Sequence, residues 1–397
     1  MTNLILNDPL EFSKSLFEKM KQFSPGISEL ELYEFRYGLA DLVPEQGWGA
    51  VKLDGKKEIE LRLNRRDFYD GIQLRPKVGD RVVLDEQIIQ LAQMLFIGLI
   101  TGKYEPDWVN THFFFDIRGF YFLHRTQYFN DKVLAHFSGK PFQQFEQKQK
   151  NLERHQDLGY KDFREANAEV DMLFIESVKK IVAARGTPIL LAIAGPTAAG
   201  KTEIVERLTV ALRQVGQEVA SIELDNFLTD RDYREAMGID SQGKQAMHFE
   251  LLKQCLEDIT HGKRISIPCY DTVYATSSHD LNGILKPDGI SIEIEPADII
   301  FIEGNFPFLM EEIIDLIGIK VVYLTDDPVR LKRKWKRDID YRKKYDPSYL
   351  RNRFFKDQFI MAEIAYLPQM EVCDMTVDTT GAALWVTPEI GEILRES

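Results

Sequence analysis

The sequence predicts an α/β fold for its C-terminal half, with a mainly parallel sheet and flanking helices, preceded by a separate mixed α+β N-terminal domain. Three observations lead to this prediction. From Thr187 onwards, short apolar segments alternate with amphipathic ones at the spacing of strand–helix–strand units. A glycine-rich segment, Gly195–Thr202, stands between the first predicted strand and the first predicted helix. Acidic residues directly follow two later strands, at Asp225 and Glu303.

Length and charge restrict the class of protein. A chain of 397 residues is long enough for two or more domains. Its 63 acidic and 50 basic residues give a formal net charge of -13, which argues against binding to bulk nucleic acid or to an anionic membrane. The three cysteines have no metal-ligand spacing and indicate a reducing compartment. Because no signal-peptide pattern and no apolar run of bilayer length are found, we expect a cytoplasmic protein.

The first 185 residues predict a mixed domain whose role the sequence leaves open. Apolar residues recur at helical spacing over Leu10–Met20 and over Asp85–Ile100. Ala50–Leu53 and Ile59–Leu63, joined by a turn-like segment, predict a hairpin. The aromatic cluster His112–Phe122 could stack on a ligand, but such clusters are usually core. We therefore predict that these aromatic residues are buried.

A long helix marks the predicted domain boundary. From Lys161 to Arg185, apolar residues fall at helical spacing, with Ser177 as the single break. Gly186 then ends the pattern, and Pro188 begins the next element. We predict an N-terminal domain over residues 1–185 and a second domain over residues 186–397.

The second domain is predicted to alternate between strands and helices. The predicted strands are Ile189–Ala194, Val219–Leu224, Ile299–Ile302 and Lys320–Leu324. The predicted helices are Glu203–Val215, Phe249–Thr260, Pro328–Lys344 and Tyr349–Tyr366. This alternation favours a parallel sheet covered by helices on both faces.

The glycine-rich segment fits the pattern G-x-x-x-x-G-K-[ST] in the strand-then-helix context that the pattern requires. Its backbone N–H groups can turn inward, and the helix N-terminus adds positive partial charge, so the segment suits phosphates. Lys201 would reach the β- and γ-phosphates of ATP, and the Thr202 hydroxyl would ligate Mg²⁺. The sequence thus predicts a P-loop NTPase domain. Its predicted nucleotide-binding residues are Gly195, Pro196, Thr197, Ala198, Ala199, Gly200, Lys201 and Thr202.

The two acids after predicted strands narrow the chemistry. Ligands of parallel sheets bind outside the carboxyl ends of the strands, so Asp225 and Glu303 should lie at the same side of the sheet as the P-loop. One carboxylate could hold Mg²⁺, and the other could accept a proton from an attacking hydroxyl. For either acid considered alone, the alternative is a solvent-exposed residue that caps the end of its strand. Their joint placement beside a P-loop favours the functional interpretation.

The segment Arg330–Lys344 contains nine basic residues in an acidic chain. A solvated helix face is the common explanation for such a run. Because the run follows a predicted strand of the nucleotide-binding sheet, a lid that brings cations to the transferring phosphoryl group is the interpretation we favour.

These features, in this order, resemble the phosphoribulokinase/uridine kinase family of P-loop kinases, from about Pro188 to Asp378. Beyond the P-loop, the resemblance rests on Leu224–Phe227, His248–Leu252, Ile267–Asp271, Ala297–Gly304, Arg337-Asp338 and Leu367-Pro368. The family pattern does not account for residues 1–185.

The resemblance implies transfer of the γ-phosphoryl group from ATP to an alcohol. It implies that Asp225 is the general base, with a share in binding Mg²⁺ and substrate, and that Glu303 and Thr202 are the other metal residues. Tyr270 corresponds to the acceptor pocket. Arg337 corresponds to a lid arginine that acts with Lys201 on the phosphates.

The acceptor stays open between a nucleoside such as uridine and a sugar phosphate. Ser241–Phe249 lacks the acid that uridine kinases carry for the ribose hydroxyls, and Val273–Ala275 lacks their pyrimidine-reading histidine. No sugar-bisphosphate signature replaces them. Partners implied by the resemblance are a small-molecule acceptor and, in many such kinases, a second copy in a homodimer, with no nucleic acid or membrane.

Two other functions are weighed against a kinase. The P-loop is similar to that of tRNA isopentenyl transferases, but Ile222–Phe227 differs from the element that follows it there. A non-catalytic ATP-binding sensor is the other alternative, in which the N-terminal domain would carry the biological role.

Overall fold

The computed structural model describes residues 2–28, 30–72, 77–78, 81–82, 84–116, 121–147, 165–239, 243–338, 354 and 358–396. Parts of three predicted elements lie outside these residues: the start of the helix Lys161–Arg185, the end of the basic segment Arg330–Lys344, and the first half of the helix Tyr349–Tyr366. Within the described residues, no helix is both long and apolar enough to cross a bilayer.

The N-terminal half is mainly helical. Its helices are α1 (Thr2–Asn7), α2 (Pro9–Lys21), α3 (Leu32–Leu39), α4 (Lys56–Leu63), α5 (Arg66–Gly71), α6 (Glu86–Thr101), α7 (Pro106–His112), α8 (Asp131–His136) and α9 (Ala168–Arg185). Its strands are β1 (Lys77–Val78), β2 (Arg81–Val82), β3 (Phe113–Asp116), β4 (Tyr121–His124) and β5 (Gln143–Gln144). Strands β1 and β2 form one antiparallel pair, and β3 and β4 form another.

Most N-terminal predictions are confirmed. Helix α2 buries Phe12, Leu16, Phe17 and Met20, and α6 begins after Asp85, whose carboxylate accepts the backbone N–H of Gln87. The aromatic cluster is core: Phe113, Phe114, Tyr121 and Phe122 are buried.

The predicted hairpin over Ala50–Leu53 and Ile59–Leu63 is wrong, because its second strand belongs to helix α4. Gly55 is the N-cap, and Ile59 and Leu63 are buried one turn apart on a single face. Apolar residues at alternate positions 59, 61 and 63 also fit a strand, so a short segment cannot separate the two periods. Leu61 distinguishes the two periods. A strand would bury Leu61 on the same face as Ile59 and Leu63, whereas Leu61 is 69% exposed.

The C-terminal half alternates as predicted. Its strands are β6 (Ile189–Ala194), β7 (Val219–Glu223), β8 (Ile265–Ile267), β9 (Tyr270–Asp271), β10 (Thr276–Ser277), β11 (Ile292–Ile294), β12 (Ile299–Glu303), β13 (Ile319–Leu324), β14 (Met375–Asp378) and β15 (Ala383–Val386). Its helices are α10 (Lys201–Arg213), α11 (Arg231–Ala236), α12 (Phe249–Thr260), α13 (Glu311–Ile314), α14 (Asp327–Lys336), α15 (Leu367–Met370) and α16 (Pro388–Glu396), and a π-helical turn, Ala362–Tyr366, leads into α15.

A seven-stranded sheet organises this half, in the order β5-β15-β14-β13-β6-β12-β7. Strands β14, β13, β6, β12 and β7 run parallel, while β15 and β5 are antiparallel to their neighbours. The predicted mainly parallel sheet is therefore confirmed, and the carboxyl ends of β6, β7 and β12 lie side by side.

Both faces of the sheet are covered. Strand β6 illustrates the alternation, since Leu191 and Ile193 pack with α9 and α10 while Leu190 and Ala192 pack with α12. A smaller lobe beside β7 contains the antiparallel pairs β8–β11 and β9–β10.

Elements of the first 185 residues also enter the sheet layer. Strand β5 pairs with β15, and Val133 and Phe137, in and just after α8, are buried against the α12 face. Helix α9 ends at Gly186, as predicted, and packs on the opposite face. The division between residues 185 and 186 stays a prediction.

Candidate active site

The loop Gly195–Thr202 connects β6 to α10 at the carboxyl end of the sheet. Gly195 has a φ of 149°, and a Cβ atom there would lie 2.3 Å from the carbonyl oxygen of Tyr323. Gly200, with a φ of 107°, ends the loop as the N-cap of α10. Both positions therefore require glycine, which lets the loop turn tightly against the neighbouring strand β13.

Lys201 lies across the loop rather than pointing to solvent. Its Nζ donates to the carbonyl oxygens of Gly195 at 3.0 Å and Pro196 at 3.2 Å, and to Oδ1 of Asn305 at 3.1 Å. The side chain is buried, and this burial lowers the pKa of Lys201 to about 8, against the opposing charges of Glu303 and Asp225. The ammonium group is thus placed where a phosphate oxygen could replace its present acceptors.

Thr202 and Glu303 meet as the sequence predicts. The Thr202 hydroxyl donates to Oε1 of Glu303 at 2.8 Å. Burial raises the pKa of Glu303, although the nearby Lys201 charge lowers it. A cation bound beside the Thr202 hydroxyl would stabilise the charged form of this buried carboxylate.

The arrangement fits Mg²⁺ held together with phosphates. Within the described part of the chain, no three acidic, histidine or cysteine side chains converge to hold a metal by themselves. Mg²⁺ is commonly bound by one or two carboxylates and completed by substrate phosphates and water. The Thr202 hydroxyl with the carboxylates of Glu303 and Asp225 is a set of this kind.

Two acids from β7 face the same cleft. Glu223 is the last residue of β7, and Asp225 lies in the short 3-10 turn Leu224–Phe227 that follows. Both line the cleft with Glu303. The pKa of Glu223 is raised by burial and by the charge of Asp225. Asp225 therefore lies where the sequence predicts it, at the end of its strand beside the P-loop.

Three arginines in or just after helix α14 donate hydrogen bonds to the loop. Arg330 Nε donates to the Thr197 carbonyl oxygen at 3.0 Å, and Arg333 Nη1 to that of Ala199 at 3.2 Å. Arg337 Nη2 donates to the Thr197 hydroxyl at 3.1 Å. The Nε of Arg337 makes no hydrogen bond among the described residues but lies 3.5 Å from Oδ1 of Asp338, in an ion pair that a phosphate oxygen could replace. The described part of the basic segment is thus oriented towards the loop.

Tyr270 lies at the other end of the cleft, on β9 of the small lobe. Its hydroxyl accepts from the buried Arg234 at 3.1 Å, and its backbone N–H donates to Oδ1 of Asn226 at 3.2 Å. The Arg234 guanidinium also lies 5.8 Å from the Tyr270 ring. These contacts fix the ring at the wall of the cleft.

The cleft has a volume of about 720 Å³ and brings together the residues predicted to act in catalysis, in metal binding and in acceptor binding. Lys201, Thr202, Asp225, Glu303 and Arg337 all line it, as does Tyr270.

Two further lining residues have no predicted site role: Asn305, which binds Lys201, and Glu223, which adds a carboxylate. Only their proximity in sequence to Glu303 and Asp225 could have indicated them. Arg330, the first residue of the predicted basic lid, holds the loop.

Comparison with known proteins matches the half of the chain that forms this cleft. The model of the phosphoribulokinase / uridine kinase family matches residues 190–382. A uridine kinase of Macrococcus caseolyticus is 31% identical over 156 residues, which cover 38% of this chain and 70% of that protein. A uridine kinase of Lactobacillus helveticus is 30% identical over 158 residues, or 39% and 70% of the two chains. A solved structure of phosphoribulokinase from Rhodobacter spheroides is 19% identical, with a TM-score of 0.32 over 51% of this chain and 76% of that one.

Proposed function

The chain belongs to the phosphoribulokinase/uridine kinase family, and from this premise we propose that it transfers the γ-phosphoryl group of ATP to a hydroxyl of an uncharged small molecule. A nucleoside is the first candidate acceptor, bound without the ribose-binding acid and the pyrimidine-reading histidine that uridine kinases carry. One observation carries the proposal: the P-loop lysine and threonine share a single cleft with Asp225 and Glu303. The proposal places this activity in residues 186–397.

In this proposal, ATP supplies the phosphoryl group and Mg²⁺ neutralises its oxygens when both are bound. The backbone of the loop and Lys201 hold the β- and γ-phosphates. Thr202 and Glu303 would hold the metal. Arg337 stabilises the negative charge that spreads over the transferring group.

Asp225 acts as the general base. It accepts the proton of the acceptor hydroxyl as the new oxygen–phosphorus bond forms. The bond between the γ-phosphorus and the β–γ bridging oxygen breaks, and ADP leaves with that oxygen. Lys201, next to the site of bond cleavage, balances the charge that develops on ADP.

The lining of the cleft supports an uncharged acceptor. Among the described residues, its lining cations are Lys201 of the P-loop and four residues in or just after α14: Arg330, Arg333, Lys334 and Arg337. The lining side chains that the described small lobe contributes beyond Asp225 are neutral: Asn226, Leu228, Met247, Tyr270 and Thr272. A phosphorylated acceptor would need lining cations at that end for its own phosphate. Arg234, which bonds Tyr270 there, is buried behind the wall and does not line the cleft.

A panel of acceptors tests the proposal. Purified protein with Mg-ATP is assayed for ADP release with the uncharged alcohols uridine and cytidine, with the carboxylates pantothenate and glycerate, and with ribulose 5-phosphate as the phosphorylated competitor. We expect one uncharged alcohol to raise ADP release several-fold. Highest turnover with ribulose 5-phosphate or with either carboxylate would contradict the uncharged acceptor. Binding of Mg-ATP without any stimulated turnover would favour the sensor. A requirement for tRNA would favour the transferase.

A further inference from the structure

The N-terminal half contacts the start of the cationic helix α14 directly. The Arg125 guanidinium lies 3.1 Å from Oδ1 of Asp326, and the backbone N–H of Thr126 donates to Oδ2 of Asp327 at 2.8 Å. Asp327 is itself buried. A segment about 200 residues upstream therefore fixes the first turn of the helix that carries the loop-binding arginines.

The same segment also reaches Arg330. This arginine is only 1% exposed, and its guanidinium has four kinds of partner. Nη1 donates to the Tyr128 hydroxyl at 3.2 Å and to Oδ1 of Asp327 at 2.9 Å. Nη2 donates to Oε1 of Gln358, and Nε donates to the Thr197 carbonyl oxygen at 3.0 Å. Each nitrogen of the planar group thus has a partner, so its position depends on all of these partners.

Gln358 connects this network to the N-terminal half a second time. Its Nε2 donates to the Tyr128 hydroxyl at 2.8 Å and also bonds to the Thr126 hydroxyl. The adjacent Phe359 ring stacks on Tyr69 with centroids 4.5 Å apart and on His124 at 4.7 Å. The N-terminal half therefore holds Gln358 as well as the helix start.

From these contacts we propose that the N-terminal half supports phosphoryl transfer: Tyr128 and Gln358 are positioning residues that hold Arg330 against the P-loop carbonyl of Thr197. The predicted effect on phosphoryl transfer rests on the proposed kinase function. Structurally, residues 125–128 are linked through one buried guanidinium to the phosphate-binding loop. Loss of either partner should loosen the loop before any nucleotide arrives.

The test compares three full-length variants. Tyr128→Phe removes the hydroxyl that Arg330 and Gln358 share. Gln358→Met removes the amide at nearly constant size. Tyr104→Phe is the matched control, because this buried N-terminal tyrosine also loses its hydroxyl, which donates to the Asp54 carbonyl oxygen at 2.7 Å.

Two measurements are made on each variant. Hydrogen exchange of the peptide Gly195–Thr202 is followed without nucleotide, and the Kd for Mg-ATP is measured without acceptor. For Tyr128→Phe and Gln358→Met we expect about fivefold faster exchange and about fivefold higher Kd, the equivalent of one hydrogen bond. Tyr104→Phe should leave both values unchanged while lowering the melting temperature by a comparable amount.

The outcomes separate the two proposals. Loop exchange and Kd equal to the wild type in Tyr128→Phe and Gln358→Met would overturn the positioning role, whatever their melting temperatures. A matching change in Tyr104→Phe would also overturn it, since the effect would then reflect stability alone. Failure of the acceptor panel would overturn the kinase function, whereas the exchange measurement would still decide the positioning role.

Discussion

The two ends of the cleft are built differently. The phosphate end consists of a P-loop with φ values that favour glycine and a helix of arginines that contacts it, so its ligands are cations and backbone groups. The acceptor end consists of the small lobe, where Tyr270 and Asn226 offer neutral groups. The carboxylates of Glu223, Asp225 and Glu303 lie where the two ends meet, and Glu203 and Glu206 of α10 also line the cleft.

This contrast separates two tasks. Charge at the phosphate end would determine how tightly nucleotide binds and how that binding depends on pH and metal. Shape and hydrogen bonding at the acceptor end would determine which alcohol is used. Changes at one end should therefore alter the kinetics of one substrate and leave the other nearly unaffected.

Removal of the carboxylate between the ends should give the largest effect. We expect Asp225→Asn to lower kcat by about 10²- to 10⁴-fold, because the amide cannot accept the proton. The Kd for Mg-ATP should change little. Asp232→Asn, an exposed acid on the same lobe, is the control. Retention of more than about a tenth of wild-type kcat by Asp225→Asn would remove it as the base.

Loss of the proposed metal-binding carboxylate at the phosphate end should give the second largest effect. Glu303→Gln keeps the size of the side chain but removes the charge beside the Thr202 hydroxyl. We expect the Mg²⁺ concentration for half-maximal turnover to rise by about 10- to 100-fold, with the KM for the acceptor unchanged. An unchanged Mg²⁺ requirement would show that Glu303 does not hold the metal.

The buried lysine predicts a pH effect on nucleotide binding. With the pKa of Lys201 at about 8, the protonated fraction falls as pH rises, and the Kd for ATP should increase about tenfold between pH 7 and pH 9. Titration calorimetry over this range would measure it. Lys201→Arg is the control, because a guanidinium does not titrate there, and the pH dependence should disappear.

Raising the pH should weaken nucleotide binding through Lys201, but it should increase the contribution of Lys201 to the stability of the folded protein. Its pKa in the folded protein is lowered from 10.5 to about 8, so between these values the unfolded chain binds more protons. The contribution of Lys201 to the free energy of unfolding therefore rises with pH in this window. For nucleotide binding, a Kd for ATP that stays constant from pH 7 to pH 9 would contradict the lowered pKa of Lys201.

The acceptor end should give the smallest effect. Tyr270→Phe deletes the hydroxyl that accepts from Arg234, and we expect the KM for the acceptor to rise about fivefold, the equivalent of one hydrogen bond. The KM for ATP should stay constant. Tyr274→Phe, a 79% exposed tyrosine in the same lobe, should behave as the wild type. A change confined to the KM for ATP would place Tyr270 at the wrong end.

The sequence predicted what depends on local pattern. The P-loop, the parallel strands and the strand ends that carry Asp225 and Glu303 follow from spacing alone. The α4 segment was predicted incorrectly, because five residues fit a strand and a helix equally well. The role of Asn305 could not be predicted, since its amide reaches Lys201 only through tertiary folding.

Long-range contacts limited the prediction most. Nothing in the local pattern around Tyr128 indicates that its hydroxyl meets Arg330, about 200 positions away. The basic run was correctly associated with the nucleotide end, but which cations touch the loop depends on how α14 packs. Such contacts arise from the fold as a whole rather than from any segment.

Strand β5 has a consequence for dissecting the chain. Its flanking residues Phe142 and Phe145 donate backbone hydrogen bonds to Leu384 and Ala382, so the outermost groups of β15 are capped by an N-terminal segment. Expression of residues 186–397 alone would leave those groups bare, and an uncovered strand of this kind recruits other chains. The isolated fragment should therefore aggregate more readily than a fragment that begins before residue 140.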